Sequence, residues 1–310
     1  MRATVDLDLS AVILAVTEEV PRILTVRRKG GGAAAVQREE GLPFGSLDPA
    51  VDRTLERGLR RWVREQTGLE LGYVEQLYSF GDRNRDPREA RGGPRLVSVA
   101  YLALVREREV AGSAEARWRD WYEFFPWEDW RSGRPTVIDR IAPAFDRWVA
   151  AAPGPVAAGV RRERADIAFG LRGVGWDGER VLERYELLYE AGLVQEAHDD
   201  GTLPWAPFEA VLHEAEPMAG DHRRILATAI ARLRAKIKYR PLVFELLPPT
   251  FTFLQLQQTV EGLAGLRLHK PNFRRLVEQQ GLVEDTGQTA QGTGGRPARL
   301  LRFRSGPSGV

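Results

Sequence analysis

Apolar residues recur at helical spacing in two short runs near the C-terminus of the chain. The first run covers residues 253–264 and is followed by Gly265, and the second covers residues 272–280 and is followed by Gly281. A glycine directly after the last apolar turn is typical of a helix C-terminus, so the runs predict two helices. Their predicted inward faces consist of Leu254, Leu256, Val260 and Leu263 on the first helix and of Phe273, Leu276 and Val277 on the second.

The residues around these runs predict how the two helices begin and which elements come after them. Thr252 and Gln255 have the spacing of a capping box, in which each side chain accepts a hydrogen bond from the other's backbone N–H. Pro271 suits the first turn of the second helix. Two extended segments, 282–283 and 298–303, then flank a polar, Gly-rich loop and predict a β-hairpin. Two helices and a hairpin in this order predict a C-terminal winged helix-turn-helix.

The second helix has the side chains that a DNA-reading helix needs. At about 100° per residue, Arg275, Glu278 and Gln279 point away from the apolar face, with Asn272 and Arg274 on its flanks. Arg, Asn and Gln form paired hydrogen bonds with base edges, although a solvated amphipathic helix would show the same pattern. The predicted DNA contacts are Thr252, Gln255, Lys270, Asn272, Arg274, Arg275, Gln279, Arg296 and Arg299.

The distribution of charge favours the DNA-reading interpretation. Residues 222–310 contain 15 Lys and Arg but 5 Asp and Glu, a net charge of +10. Because the whole chain carries +2, residues 1–221 carry about −8. A basic segment beside an acidic remainder is typical of a domain that binds a polyanion, so we expect double-stranded DNA as a partner.

Composition excludes several other classes of protein. Apolar residues make up 43% of the 310 residues, as in a globular protein, and no run is long enough to span a membrane. The chain has no cysteine, which excludes disulfides and thiolate metal sites, and its four histidines show no metal-ligand spacing. We therefore expect no metal and no cofactor. The N-terminus does not resemble a signal peptide, so we expect a cytoplasmic protein.

The N-terminal half alternates between extended runs and one long helix. The extended runs predict strands at residues 5–16, 22–28, 73–80 and 95–105. Between them, apolar spacing predicts a helix over residues 51–66 that ends at Gly68. The predicted inward face of this helix consists of Val51, Leu55, Leu59, Trp62 and Val63. Strands on either side of a helix predict an α/β fold for this half.

This helix carries a sequence that resembles the Nudix box. The family motif ends in Arg-Glu-apolar-x-Glu-Glu-x-Gly-apolar, and residues 61–69 read Arg-Trp-Val-Arg-Glu-Gln-Thr-Gly-Leu. Three carboxylates one turn apart hold Mg²⁺ against a pyrophosphate in the family. Here those positions are Trp62, Glu65 and Gln66, so one carboxylate remains. The resemblance implies a degenerate, Nudix-like α/β/α sandwich that is not an enzyme. An active Nudix pyrophosphohydrolase with an accessory nucleic-acid-binding domain is the alternative.

Further matches occur in the order found in the Nudix-related regulators of NAD metabolism, the NrtR-like family. They include Tyr78-Ser-Phe-Gly-Asp82, Val97-Ser-Val-Ala-Tyr-Leu-Ala-Leu104, Asp221-His222, Asn272-Phe-Arg-Arg275 and Gly295-Arg-Pro-Ala298. The resemblance covers about residues 5–125 and 221–304. It implies a bacterial repressor of NAD biosynthesis genes that binds operator DNA as a homodimer. Its Nudix-like domain would sense ADP-ribose, NAD or another adenine nucleotide.

Five residues are candidates for the nucleotide site, because arginine forks suit a pyrophosphate. They are Arg61, Glu65, Arg83, Arg85 and Arg88. A third function also stays open, in which the Nudix-like half is a nucleotide-binding scaffold and the basic tail serves RNA or a protein.

The middle of the chain departs from the short members of that family and resembles their long bacterial form, the NadQ type. We predict a Pro/Gly-rich linker near residues 150–159 and a helix over 179–191 that Gly192 ends. A basic helix is predicted over residues 222–239. The predicted regions are a sensor domain at 1–138, a mainly helical region at 139–220 and a basic helix with the winged helix at 221–310.

Six aromatic residues precede the helical region and are expected to pack in the core or at a domain interface. They are Trp118, Trp121, Phe124, Phe125, Trp127 and Trp130. Stacking on a nucleobase is the alternative role for these rings.

Overall fold

The computed structural model describes residues 5–27, 40–83, 85, 89, 92–112, 115–204, 212–237, 241–290 and 297–304. Its strands are β1 (Val5–Thr17), β2 (Val20–Arg27), β3 (Glu40–Gly41), β4 (Phe44–Ser46), β5 (Tyr73–Phe80), β6 (Arg95–Leu104), β7 (Glu115–Asp120), β8 (Phe251–Thr252), β9 (Val283–Thr289) and β10 (Arg299–Phe303). Its helices are α1 (Leu55–Thr67), α2 (Ile138–Ala150), α3 (Pro155–Phe169), α4 (Val181–Glu190), α5 (Glu196–Asp199), α6 (His222–Ile237), α7 (Phe253–Ala264) and α8 (Lys270–Gln280). No helix in these ranges is long and apolar enough to cross a membrane.

A mixed sheet forms the centre of the N-terminal half. Its hydrogen-bonded order is β3-β2-β1-β6-β5, with β4 paired to β1 and β7 paired to β2. β1 and β6 run parallel, from Val5 beside Arg95 to Leu14 beside Leu104, and the other pairings are antiparallel. The four predicted strands are confirmed as β1, β2, β5 and β6.

Both faces of this sheet are covered, which confirms the α/β/α sandwich. Neighbouring residues of β1 enter different apolar clusters, because successive side chains of a strand point to opposite faces. Ile13 belongs to the cluster that contains Leu59 of α1, whereas Val12 belongs to the cluster that contains Leu226 and Ile230 of α6. The sheet is therefore buried between α1 and the helices of the C-terminal half.

Helix α1 begins four residues later than predicted. Thr54 caps it by accepting a hydrogen bond from the backbone N–H of Arg57, and residues before Thr54 form a turn in which Asp52 accepts from the N–H of Asp48. Val51 lies in this turn and is 66% exposed, so its predicted place on the inward face is wrong. The end of the helix at Gly68 is confirmed, with a left-handed φ of 72°.

The middle of the chain is mainly helical, as predicted, but the linker predicted near residues 150–159 is wrong beyond Gly154. Helix α3 begins at Pro155, because proline in the first turn needs no hydrogen-bond donor. The turn between α2 and α3 therefore spans four residues only. Helix α4 is confirmed within two residues of each predicted end, and Gly192 comes after it in a left-handed conformation.

The aromatic segment before α2 lies in the core, as expected. Trp121, Phe124, Phe125 and Trp127 are almost completely buried and belong to the same apolar cluster as Tyr185 of α4. Phe125 and Tyr185 contact each other edge to face, with ring centroids 6.3 Å apart. These four rings therefore connect the sheet to the helical region and are not available to stack on a base, whereas Trp118 and Trp130 are half-buried.

The C-terminal winged helix is confirmed. Strands β8, β10 and β9 form a small antiparallel sheet, and α7 and α8 lie between β8 and the hairpin. The predicted inward positions of two residues are wrong, because Leu254 is 52% exposed and Leu276 is 51% exposed. On α7 the polar residues Gln257 and Glu261 are buried instead, where they bond to each other at 2.7 Å. The buried face of α7 is therefore partly polar, and it bonds to the turn before α8.

A buried ion network joins the regions of the chain; it consists of Glu128, Arg184 and Arg234. Both oxygens of Glu128 accept hydrogen bonds from Arg184 of α4, at 2.5 and 2.9 Å. One of them also accepts from Nη1 of Arg234 of α6 at 2.6 Å. Arg234 also donates to the backbone carbonyl of Leu263 in α7 at 2.9 Å. The network therefore connects the end of the sensor, the helical middle and the winged helix.

Two backbone contacts bring the sensor directly against α7. The turn between β1 and β2 holds Glu18 and Glu19 at positive φ, and a Cβ on Gly262 would overlap the carbonyl oxygen of Glu19. The carboxylate of Glu19 also accepts hydrogen bonds from Gln258 and Arg267. At the end of α7, Gly265 accepts a hydrogen bond from the N–H of Trp130 at 2.8 Å. Only glycine permits such close backbone approaches.

Candidate functional site

The exposed face of α8 carries the predicted DNA-reading side chains. Asn272, Arg274, Arg275 and Gln279 are all exposed, while Val277 is buried beneath them. Arg274 forms an ion pair with Glu278 at 2.9 Å. Arg275 forms no ion pair with any residue that the structure describes. Its guanidinium therefore has its donors available for a base or a phosphate.

The other predicted DNA contacts surround α8. Lys270 is exposed at its first turn, and Arg299 is exposed in the hairpin, 3.4 Å from Asp285. Thr252 and Gln255 form the capping box of α7, with bonds of 3.2 and 2.7 Å between side chain and backbone. The structure gives these two a capping role, and their contact with DNA stays a prediction. Arg296 lies outside the described residues.

Trp62 and Gln66 of α1 both donate hydrogen bonds to the backbone of β4. The indole Nε1 of Trp62 donates to the carbonyl of Ser46 at 2.7 Å, and Nε2 of Gln66 donates to the carbonyl of Phe44 at 2.6 Å. The Trp62 ring lies against Gly45, where a Cβ would overlap it. Both side chains therefore fasten α1 to β4.

Arg61 and Glu65 lie together on α1. Arg61 forms a two-bond ion pair with Asp52, at 2.9 and 2.7 Å, and these hydrogen bonds hold the pKa of Asp52 below its ordinary value. Glu65 lies 3.5 Å from Arg61 on the exposed side. Arg61 borders a groove of about 300 Å³ beside α1, which Arg57, Arg60 and Arg64 also line. Among the described residues, no three His, Asp or Glu side chains are placed to hold a metal ion.

Arg83 and Arg85 line a different cavity, of about 260 Å³, between the segment after β5 and the helical region. Arg85 forms a two-bond ion pair with Asp221, next to the start of α6, at 2.5 and 2.6 Å. The cavity is lined by Asp82, Arg83, Arg85, Tyr185, Tyr189, Glu196, Asp200, Thr202, Gly220, Asp221 and Arg224. The five predicted nucleotide-site residues thus fall into two groups, and Arg88 lies outside the described residues.

Sequence reasoning did not identify the tyrosines and carboxylates of this cavity as site residues. Tyr185 and Tyr189 have the spacing of an inward helix face, so nothing in the sequence separates a cavity wall from a core. Burial raises the pKa of Tyr185 well above its ordinary value. Burial and a hydrogen bond to Asp200 raise the pKa of Tyr189 to about 12. Both hydroxyls therefore remain protonated and able to donate at neutral pH.

Comparison with known proteins identifies relatives for both halves of the chain. Residues 243–303 match the NrtR DNA-binding winged helix domain. The chain is 43% identical over 262 residues to the ADPR responsive transcriptional repressor NtrR of Acinetobacter baylyi, which covers 84% of this chain and 68% of the relative.

Two solved structures share the fold. The crystal structure of Shewanella oneidensis NrtR complexed with a 27mer DNA has a TM-score of 0.57 at 22% identity, covering 96% of this chain and 93% of that chain. A MutT/nudix family protein from Enterococcus faecalis has a TM-score of 0.55 at 16% identity, covering 98% and 88%. Both agree with the predicted fold class.

Proposed function

Because the chain belongs to the NrtR family of Nudix-related transcriptional regulators, we propose that it represses genes of NAD metabolism by binding operator DNA and responds to ADP-ribose. The observation that supports this most directly is the exposed, basic face of α8 on a winged helix. The name of the Acinetobacter relative supports ADP-ribose as the effector. Since a bacterial repressor acts on the chromosome, the protein would work in the cytoplasm.

The proposal is tested by measuring binding to the DNA upstream of the protein's own operon with and without ADP-ribose. We expect specific binding, and we expect ADP-ribose to change its affinity through a coupling of about 1–3 kcal/mol. By reciprocity, operator DNA should change the affinity for ADP-ribose by the same factor. If ADP-ribose changes neither the operator affinity nor the melting temperature, the proposed response is contradicted.

We expect Arg275→Ala to weaken operator binding by about 1–3 kcal/mol, because it removes a donor pair from a base or a phosphate. Folding should change by about 0.5 kcal/mol or less at this exposed site. Fluorescence anisotropy with a labelled operator duplex measures the effect. Arg162→Ala, on the exposed surface of α3, is the matched control and should bind as the parent protein does.

The salt dependence of the Arg275→Ala variant separates the two kinds of contact. A loss confined to the specific sequence assigns Arg275 to a base, whereas a uniform loss with a salt slope lower by about one assigns it to a phosphate. Unchanged operator affinity in the folded variant would show that another face or another helix reads the DNA.

We propose that the repressor is a homodimer on a two-fold-related operator. A single winged helix reads few base pairs, and a second copy places another α8 about one helical turn away. Analytical ultracentrifugation of the protein alone and with operator DNA tests this. A monomer in both conditions would contradict it.

We expect no hydrolysis of ADP-ribose, because Trp62 and Gln66 fasten α1 to β4 at positions where the family motif has carboxylates. Glu65 alone supplies too few oxygen ligands for Mg²⁺ in the manner of a Nudix hydrolase. Product formation with Mg²⁺ or Mn²⁺ is the measurement. Turnover near about 1 s⁻¹, within the ordinary range of enzymes, would favour the alternative function of a hydrolase.

A further inference from the structure

We propose that the cavity between the segment after β5 and helices α4–α6 binds a phosphorylated sugar of the size of ribose. The volume of about 260 Å³ lies just below the range of about 300–1,000 Å³ that holds drug-sized ligands. A sugar phosphate therefore fits this space better than a complete dinucleotide. This inference rests on the proposed function and deepens it, because Arg83 and Arg85 line the cavity and were predicted as nucleotide-site residues.

The hydroxyl of Tyr185 reaches the cavity and has no hydrogen-bond partner among the described residues. Tyr185 is 1% exposed and lines the cavity, yet its hydroxyl bonds to no residue that the structure describes. A tyrosine hydroxyl that faces a cavity can donate to, and accept from, a molecule inside it. A ligand in the cavity would supply the missing partner.

The carboxylates of the cavity would accept hydrogen bonds from the hydroxyl groups of a ligand. Asp200 accepts from the hydroxyl of Tyr189 and from the N–H of Thr202 at 2.9 Å, which holds its carboxylate in place. Glu196 is held behind it by Arg223 at 2.5 Å. Each ionised carboxylate has about four acceptor positions, so both groups keep positions for a sugar hydroxyl.

One arginine of the cavity is available to bind an anionic group of the same ligand. Arg85 is already paired with Asp221, and Arg224 is paired with Glu186 at 2.6 Å. Arg83 is exposed at the cavity and forms no ion pair among the described residues. Its guanidinium suits a phosphate, because it presents two parallel donors. Hydroxyl acceptors and one available arginine fork together match the two parts of a sugar phosphate.

Calorimetry on the full chain with ribose 5-phosphate, ribose and inorganic phosphate tests the proposal. We expect ribose 5-phosphate to bind at least tenfold more tightly than either fragment. Tyr185→Phe, which removes the hydroxyl alone, should weaken it about fivefold, as expected for one hydrogen bond. Arg83→Ala should weaken it about tenfold or more, since a charged pair is lost. Arg162→Ala is the matched arginine control and should bind unchanged.

Three results would overturn the proposal. They are the absence of heat with ribose 5-phosphate, equal affinity for inorganic phosphate, and unchanged affinity in both folded cavity variants. Because Arg83 is exposed, Arg83→Ala remains informative even if the buried Tyr185→Phe change impairs folding. Operator binding is measured on the same samples, so a failed cavity proposal leaves the repressor proposal standing.

A titration with ADP-ribose distinguishes the two sources of a ribose phosphate. If Arg83→Ala weakens ribose 5-phosphate and ADP-ribose alike, the ribose phosphate end of the larger molecule occupies the cavity. If the variant weakens ribose 5-phosphate alone, the occupant is a free sugar phosphate and ADP-ribose binds elsewhere. Both results support the cavity as a sugar phosphate site.

Discussion

Replacing Glu128 with Gln should lower the free energy of unfolding by about 3–5 kcal/mol, the cost of removing one partner from a buried ion pair. Glu128 is 1% exposed and accepts three hydrogen bonds, from Arg184 and Arg234, which are also buried. Glutamine has nearly the same shape, so the change removes the charge without opening a cavity. Urea denaturation followed by circular dichroism measures the loss.

The matched control for Glu128→Gln is Glu183→Gln. Glu183 also pairs with an arginine, Arg180, but Glu183 is exposed and Arg180 is only partly buried, at one end of α4. An exposed pair contributes about 0–1 kcal/mol, so this variant should differ little from the parent protein. Equal losses in the two variants would show that burial of the network adds nothing to its strength.

Replacing Gly265 with Ala should destabilise the protein by about 2–5 kcal/mol, for two reasons that add. The residue has a φ of 70°, where a side chain costs about 1–2 kcal/mol. A Cβ would also overlap the backbone oxygen of Glu128, and overpacking costs about 1–3 kcal/mol. The contact is with backbone, so a change of rotamer does not relieve it. Thermal and urea unfolding measure the effect.

Gly281→Ala separates these two reasons. Gly281 ends α8 at a φ of 61°, but a Cβ there would meet no described atom within 4 Å. It should therefore lose about 1–2 kcal/mol, the cost of the left-handed backbone alone. If the free energy of unfolding falls by the same amount in both variants, the close approach of α7 to the sensor contributes nothing to stability.

The sequence was most informative where local chemistry decides the structure. Both bonds of the capping box predicted from Thr252 and Gln255 are present, and Gly265 and Gly281 end their helices as predicted. Strands β5 and β6 were also predictable, because the pattern of apolar and polar residues that predicts a strand lies within the strand itself. These features need no knowledge of distant parts of the chain.

The errors concern which side of an element meets the rest of the protein. Leu254 on α7 was predicted to be buried, but the buried side of the helix carries Gln257 and Glu261. Glu261 is acceptable in that place because Arg267 pairs with it at 2.7 Å. An apolar pattern does not contain this information, since the partner charge lies beyond the end of the helix, in the turn before α8.

The candidate sites show the same division. Arg275 was placed on the exposed side of its helix from spacing alone, and the structure agrees. Arg61 was predicted as a ligand, but its two-bond pair with Asp52 is a tertiary contact that the motif does not show. The cavity beside Arg83 depends on Tyr185 and Asp200, more than 100 residues away along the chain. Only the packed fold brings these residues together.

The contacts that hold α7 against the sensor have a consequence for the choice of operator. Glu19, the buried ion network and Gly265 attach the winged helix at three places, so it does not hang from a flexible tether. In a homodimer the distance between the two copies of α8 would then be fixed. Moving the half-sites five base pairs further apart rotates one of them by about half a helical turn around the DNA axis. One copy of α8 would then no longer face its half-site.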